Sequence, residues 1–374
     1  MKRAAVICEF NPFHNGHKFL LEKIKKQHAD EIVCIMSGNF VQRGELAVVN
    51  KYERAAAALL HGADLIAELP TPYALSSAQI FAQNGVRIAK ALHCDMLCFG
   101  AENKLDTLNE VTDLLDNYSV KELIRQKMKA GSYYPKALTE AVAERSEEAI
   151  ADAMKQPNNI LALEYIKACR AQGIVPVAIE RKGVAHDSPT PLGDIASGAC
   201  IRDLIEKSAD ITAFTPMKIE KPASLSALEN AILYLLKTSA PEEIAKLADV
   251  SEGLENRIWE AAQEYNSIEE ILAAVKTKRY THARLRRILL CALLSITSEM
   301  QNTPVPYVRI LGVKNDKEHM IKSALPLIVK VRTDYDQLNN SSKEIFNIDI
   351  KATQAMNLAR NEHLNEFAQG IIKS

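Results

Sequence analysis

The feature that most restricts the fold of this chain is a regular alternation through residues 1 to about 210. Short apolar, β-branched runs are separated by stretches whose apolar residues recur at helical spacing, which is the pattern of βαβ units around a parallel sheet. Residues 4–8, 31–36, 65–69, 95–99 and 174–179 read as strands, and 16–26, 51–61, 77–92 and 105–115 as the helices between them. The helix after Asn50 has a defined start and stop: Asn50 can cap it, Glu53 occupies the capping-box position, and Gly62 can close its far end. This order predicts an α/β fold with a doubly wound parallel sheet and ligands bound outside the carboxyl ends of its strands.

The second half reads differently. Residues 120–160 are mostly helical with a break at 131–135, and from 223 to about 300 the pattern is almost wholly helical. Apolar runs at 305–313 and 325–331 follow, then a helix-rich C-terminus. A chain of 374 residues exceeds what one core accommodates, and Lys221-Pro222 marks a boundary. The expectation is a ligand-binding α/β domain over 1–215 and a mainly helical domain over 216–374.

Composition narrows the function by exclusion. With 47% hydrophobic and 25% charged residues and a formal charge of -1, the chain has no global bias toward nucleic acid or membrane, so any such contact must come from a local patch. Seven cysteines, an odd number over a long chain, do not form a secreted disulfide framework. Cys94 and Cys98 are the closest pair, but no second pair or nearby His completes a metal site, and none is expected. Met1-Lys2-Arg3 and the apolar run resemble the start of a signal peptide, yet Glu9 ends the run too early, and no segment is long enough to span a bilayer. A cytoplasmic location is expected.

The chemistry concentrates after the first strand, in Glu9-Phe10-Asn11-Pro12-Phe13-His14-Asn15-Gly16-His17. Two histidines fall where a strand turns into a helix. A helix N-terminus presents unpaired backbone N–H groups and the positive end of its dipole, so it holds phosphate well, and imidazoles there add donors. Gly16 keeps side chains out from between backbone and ligand. Two polar residues in an ordinary βα turn would fit the pattern as well. His28, His61 and His93 lie near helix ends, where they serve as dipole partners. His186-Asp187 reads as a pair of loop contacts.

Two further stretches sharpen this reading. Ile195-Ala196-Ser197-Gly198-Ala199-Cys200-Ile201-Arg202 opens a later helix, where Ser197 and Arg202 are either ligand contacts or a cap and a surface charge. The loop at 37–45 follows the second strand on the ligand-binding edge, and its glycines suit close approach to a ligand. The His-x-Gly-His stretch and the Ser-to-Arg turn together resemble the signatures of the nucleotidyltransferase superfamily and its class I aminoacyl-tRNA synthetase relatives, which carry a Rossmann-like domain. The turn departs from that pattern in carrying Gly198 and Ala199 where a hydroxyl residue is common.

Together with Phe99-Gly100-Ala101-Glu102, Pro157-Asn158-Asn159-Ile160-Leu161 and Arg181-Lys182-Gly183, these stretches are similar to the tRNA(Met) cytidine acetate ligase family over essentially the whole chain. The resemblance implies formation of acetyl adenylate from ATP and acetate, then transfer of acetyl to the exocyclic amine of the wobble cytidine of elongator tRNA(Met), giving N4-acetylcytidine. It implies an ATP site made of Ile7, Cys8, Glu9, Phe10, Asn11, Pro12, Phe13, His14, Asn15, Gly16, His17, Lys18, Phe19, Leu20, Gly100, Asn159 and Arg181, with Ser197 and Arg202 from the second signature. Mg²⁺ is expected on the triphosphate, and His14, His17 and Ser37 are the catalytic candidates. Plain alternatives are a turn for Gly100, a helix cap for Asn159 and a solvated charge for Arg181.

The RNA side of this expectation rests on residues 276–287, which hold six Lys or Arg and no acid. Lys276, Lys278, Arg279, Arg284, Arg286 and Arg287 can meet phosphates and Tyr280 can stack on a base, although a solvated basic helix face would look the same. Two other functions share part of the pattern: a small-molecule nucleotidyltransferase that adenylates a cofactor precursor, and a non-catalytic, nucleotide-sensing RNA-binding protein. The first leaves the helical half and its basic segment without a role.

Overall fold

The computed structural model describes the chain except residues 133, 147, 155, 156, 181–189, 252, 278 and 279, and except the side chains of 134, 135, 148, 149 and 157. The five expected strands form the centre of one sheet: β1 (Arg3–Cys8), β2 (Glu31–Ser37), β5 (Leu65–Leu69), β6 (Met96–Ala101) and β7 (Val175–Glu180). Between β2 and β5 lies a short hairpin of β3 (Phe40–Val41) and β4 (Glu45–Leu46). Helices α1 (Asn15–Gln27), α2 (Lys51–Leu60), α3 (Ala78–Ala91) and α4 (Leu105–Asp116) fall within a residue or two of the expected spans. Asn50 caps α2 as anticipated, its side chain accepting from the N–H groups of Tyr52 and Glu53.

The sheet runs in the order β10-β8-β5-β2-β1-β6-β7, where β8 is Val308–Val313 and β10 is Ile372–Lys373, with β9 (Leu327–Ile328) paired to β8. From β1 the chain winds one way through β2 to β5, then returns to place β6 and β7 on the other side. The order therefore reverses at β1, and the crevice beyond the carboxyl ends of β1 and β6 is the topological switch point where such sheets bind ligands.

The structure adds two features to this outline. The sheet is mixed, because β8 lies antiparallel to β5, with Leu65 opposite Val313. Residues 216–374, expected as mainly helical, also contribute three strands that complete the sheet. The physical reason is that β5 would otherwise be an open edge, and the apolar run at 308–313, buried at every position, covers it.

The two halves share more than the sheet. Phe40, Val41, Leu46 and Ala47 pack in the core of the helical part, among Leu236, Ile258, Leu285 and Ile288. Gly44, at φ +74, forms the hairpin tip, and a Cβ there would come within 2.7 Å of the Arg286 Cβ and the Arg287 backbone N. Under the hairpin lies a buried ionic cluster. Lys51 Nζ is 2.8 Å from both Glu68 Oε1 and Glu366 Oε1, and Arg309 reaches Glu68 at 3.0 Å and also Glu366. This cluster ties the loop after β2 to the last residues of the chain.

Candidate active site

At the end of β1 the chain turns sharply, with Phe10 at φ 48 and a cis Asn11–Pro12 peptide. Phe10 and Phe13 are buried beneath the turn, their rings 5.0 Å apart and edge-on, which sets the floor under the two histidines. His14 caps α1, its Nδ1 accepting from the Gly16 N–H at 3.1 Å, while the His14 N–H donates to His17 Nδ1 at 3.2 Å. The rings stack with centroids 3.7 Å apart. Because both Nδ1 atoms accept from backbone N–H groups, both neutral imidazoles carry their proton on Nε2.

The second signature closes over this turn. Ser197 caps helix α6 (Gly198–Glu206; the helix α5, Pro157–Gln172, precedes it) by accepting from the Cys200 N–H at 3.0 Å. Arg202 Nη1 donates to the Asn11 carbonyl at 3.0 Å. A Cβ on Gly198 would sit 3.4 Å from both Arg202 Nη1 and the Asn11 carbonyl and 4.0 Å from His14 Nε2. The glycine that departs from the superfamily pattern thus stands where first and second signatures meet, and its bareness permits that approach. Asn15 ties the same segments from outside, its Nδ2 donating to the carbonyls of Asp194 and Ala213.

These groups line a cavity of about 850 Å³. Of the expected ligand residues, Ile7, Cys8, Glu9, Phe10, Asn11, His14, Gly16, His17, Phe19, Leu20, Gly100, Ser197 and Arg202 border it. Pro12, Phe13, Asn15 and Lys18 do not: Phe13 is core, Asn15 faces 194 and 213, and Lys18 lies near Glu22 on the exposed side of α1.

Ser37, expected as a catalytic group, is fully buried outside the cavity, its hydroxyl without a hydrogen-bond partner among the described residues and its carbonyl accepting from Arg54. The loop after β2 dives toward the ionic cluster first and reaches the cavity only from Val41 onward. Asn159 is also fully buried outside it. Its Oδ1 accepts from the Glu102 N–H at 3.3 Å and its Nδ2 donates to Asn103 and to the Ala153 carbonyl, so it latches the loop after β6 while its neighbour Asn158 lines the cavity. Arg181, His186 and Asp187 lie outside the described residues.

Arg54 organises the site from below without entering it. Fully buried, it donates to the carbonyls of Val49, Glu9, Ser37 and Gly38, joining the loops after β1 and β2. Burial pushes its guanidinium down to about 10. Glu9 faces the opposite pressure: burial raises its carboxyl above the usual range, against the Gln42 N–H and the charges of Arg202 and Arg43.

The far wall comes from the helical half. Thr281, His282, Ala283, Arg286 and Arg287 of helix α7 (His282–Leu294) and its cap border the same cavity as the histidines. Arg286 pairs with Glu45 at 3.3 Å, and Glu45 also reaches Arg202 at 3.4 Å. Burial, then the charges of Lys276 and Arg286, hold the His282 imidazole below its ordinary value.

The expected role of Tyr280 as a stacking platform does not hold. Its ring is only 6% exposed, packed in the helical core and covered by Arg284 at 5.2 Å. Arg284 is itself bound to the Asp249 carbonyl and Ser251, and Arg287 to the Asp249 carboxylate. The basic run therefore divides: Arg286 and Arg287 reach the cavity, Arg284 braces the 249–251 turn, and Lys276 is exposed. Lys278 and Arg279 are outside the described residues.

Sequence reading missed Asn158, Leu161, Tyr165, Phe81, Ile179 and Glu180 as cavity residues. Glu180 was reachable, since it ends a carboxyl-pointing strand. Leu161, Tyr165 and Phe81 look like the core face of a helix, and only the sheet topology brings them to the crevice.

The family model described as HIGH Nucleotidyl Transferase matches residues 1–369. The tRNA(Met) cytidine acetate ligase of Thermoanaerobacter sp. strain X514 is 36% identical, over 95% of this chain and 94% of that protein. That of Acetivibrio thermocellus is 34% identical with both chains fully covered. Thermotoga maritima TmcAL has the same fold in its apo crystal form, with a TM-score of 0.92 and 26% identity over the full length of both chains. The TmcAL structure bound with alpha-thio ATP matches at a TM-score of 0.90 and 26% identity, covering 100% of this chain and 99% of that one. Matched at nearly full length by family and relatives alike, the chain belongs to the HIGH nucleotidyl transferases and, among them, to the tRNA(Met) cytidine acetate ligase family.

Proposed function

We propose that this chain is an ATP-dependent acetate ligase that forms acetyl adenylate and transfers acetyl to the exocyclic amine of the wobble cytidine of elongator tRNA(Met). One observation carries the reading: two imidazoles stacked at 3.7 Å at a helix N-terminus share a single cavity with Arg202 and with an arginine-bearing wall from the helical half. The first three suit a triphosphate. The last gives a polyanionic second substrate a place beside it, which a small-molecule nucleotidyltransferase would not need.

An acetate carboxylate oxygen attacks the α-phosphorus in line and pyrophosphate leaves. Donors on His14 Nε2, His17 Nε2 and Arg202, with the α1 N-terminus, stabilise the charge that builds on the phosphates. The cytidine amine then attacks the acetyl carbonyl and AMP departs, so no covalent enzyme intermediate is needed. Each charge-assisted hydrogen bond contributes about 1.5 to 3 kcal/mol, or roughly 10- to 150-fold in rate when it belongs to the transition state.

Among the described residues no group of three or more His, Cys, Asp or Glu side chains can hold a metal ion. Mg²⁺ bound with the triphosphate would neutralise charge there, and phosphate and water would supply most of its ligands. The protein's share is at most one or two carboxylates. Glu45 is engaged by two arginines and Glu9 is tied by one oxygen to the Gln42 N–H, so Glu180, exposed in the cavity wall, would be the carboxylate that reaches the ion.

The test is incubation with ATP, labelled acetate and total tRNA. Label in a tRNA(Met) cytidine supports the ligase, and pyrophosphate release with another substrate and no labelled tRNA contradicts it.

A further inference from the structure

The reaction proposed above leaves one proton unassigned. When the cytidine amine attacks, its nitrogen gains a fourth bond, and the product amide forms only once an N–H proton has gone elsewhere. The cavity wall holds one carboxylate whose placement suits that task. Glu9 leaves the end of β1 fixed at two points: its carbonyl accepts from Arg54 Nη1 at 2.6 Å, and its carboxylate Oε1 accepts from the Gln42 N–H at 2.7 Å. The other oxygen, Oε2, has no hydrogen-bond partner among the described residues. The side chain is thus held between the histidine-bearing turn and the hairpin that meets the arginine wall.

Its presence needs explaining, because this cavity must accept two anions, ATP and acetate. An ionised carboxylate among them repels both, and the other carboxylate at this junction, Glu45, is compensated by Arg202 and Arg286. The groups around Glu9 are Arg202 from α6, Arg43 and Glu45 from the hairpin, Arg54 from α2, the neighbouring Cys8 thiol and Tyr165 from α5. Burial raises its carboxyl above the usual range, against the Gln42 N–H and the charges of Arg202 and Arg43, which eases that repulsion. Departure of pyrophosphate removes most of the anionic charge from the site before the amine arrives.

We propose that Glu9 is the general base of acetyl transfer, its Oε2 taking the proton from the exocyclic amine. The new N–C bond forms at the acetyl carbonyl carbon, the bond from that carbon to the phosphate oxygen breaks with its electron pair going to AMP, and the amine proton passes to Glu9. The inference rests on the ligase reading.

The experiment separates the half-reactions. Acetate-dependent ATP–pyrophosphate exchange reports adenylation, and rapid mixing of enzyme-bound acetyl adenylate with tRNA reports transfer as a function of pH. Glu9→Gln is expected to slow transfer by roughly 100-fold or more, the usual worth of a positioned base, and exchange by less than tenfold. Wild-type transfer rises with pH along a limb that Glu9→Gln lacks and the slower Glu9→Asp retains. Equal losses in both half-reactions, or a limb that persists in Glu9→Gln, overturn the assignment. Loss of the limb in His282→Asn instead identifies His282 as the base and also overturns it. Absence of acetate-dependent exchange in the wild type defeats the ligase reading itself and takes this inference with it.

Discussion

Replacing Glu366 with Gln tests how the site's scaffold is held together. Lys51, Glu68, Arg309 and Glu366 are each at most 2% exposed at the side chain, and two cations balance two carboxylates. Lys51, Arg309, Tyr52 and Thr353 all contact the Glu366 carboxylate. The neighbouring cations hold its carboxyl well below the usual range although burial alone would raise it, so it is ionised at neutral pH. Gln keeps the shape but leaves Lys51 and Arg309 sharing the single carboxylate of Glu68, with one buried positive charge uncompensated. Breaking a buried pair in this way costs about 3 to 5 kcal/mol, a large part of the roughly 5 to 15 kcal/mol that keeps a domain folded. Urea unfolding followed by the single Trp259 measures it. Adding Lys51→Met restores neutrality, so the double variant is expected to lose less than the sum of the singles by about 1 kcal/mol or more. A single-variant loss under about 1 kcal/mol, or strict additivity, refutes the idea that charge balance holds this cluster.

Asp349 gives a pH signature. Burial, reinforced by the charge of Glu68, pushes its carboxyl up to about 7 from an ordinary 3.8, so its stabilising protonated form is fully present below 3.8 and is lost as pH rises through 7. Asp349→Asn, which can still accept from the Thr71 N–H, is expected to flatten the dependence of Tm on pH across that window; an unchanged slope counts against the assignment. In tRNA binding, Arg286→Ala is expected to reduce the salt slope by about one, while Arg284→Ala, which strips the Asp249 carbonyl and Ser251 of a partner, lowers stability and leaves the slope unchanged. The reverse pattern contradicts the division of the basic run.

Much of the architecture is legible in the sequence because it rests on local signals. Strands β1, β2, β5, β6 and β7 are apolar runs of the right length, and Asn50 with Glu53 marks a helix start wherever it falls. The histidine turn is legible for the same reason, since its geometry comes from residues within nine positions of one another. What fails is long-range. The run at 308–313 becomes a sheet strand only because β5, some 240 residues earlier, offers an open edge. Ser37 carries the chemistry of a catalytic hydroxyl, but Arg54 pulls its carbonyl inward. Tyr280 sits in a basic run and is spent on core packing, a fate set by helices that the run itself does not contain.

The most direct test of the central claim is acetate-dependent ATP–pyrophosphate exchange in wild type and His17→Ala. The two imidazoles are held through backbone N–H groups, so the variant is expected to keep its fold by circular dichroism while exchange falls roughly 10- to 150-fold, the worth of one charge-assisted hydrogen bond in the transition state. Unchanged exchange in a folded His17→Ala protein would contradict the assignment of this cavity as the site of acetate activation.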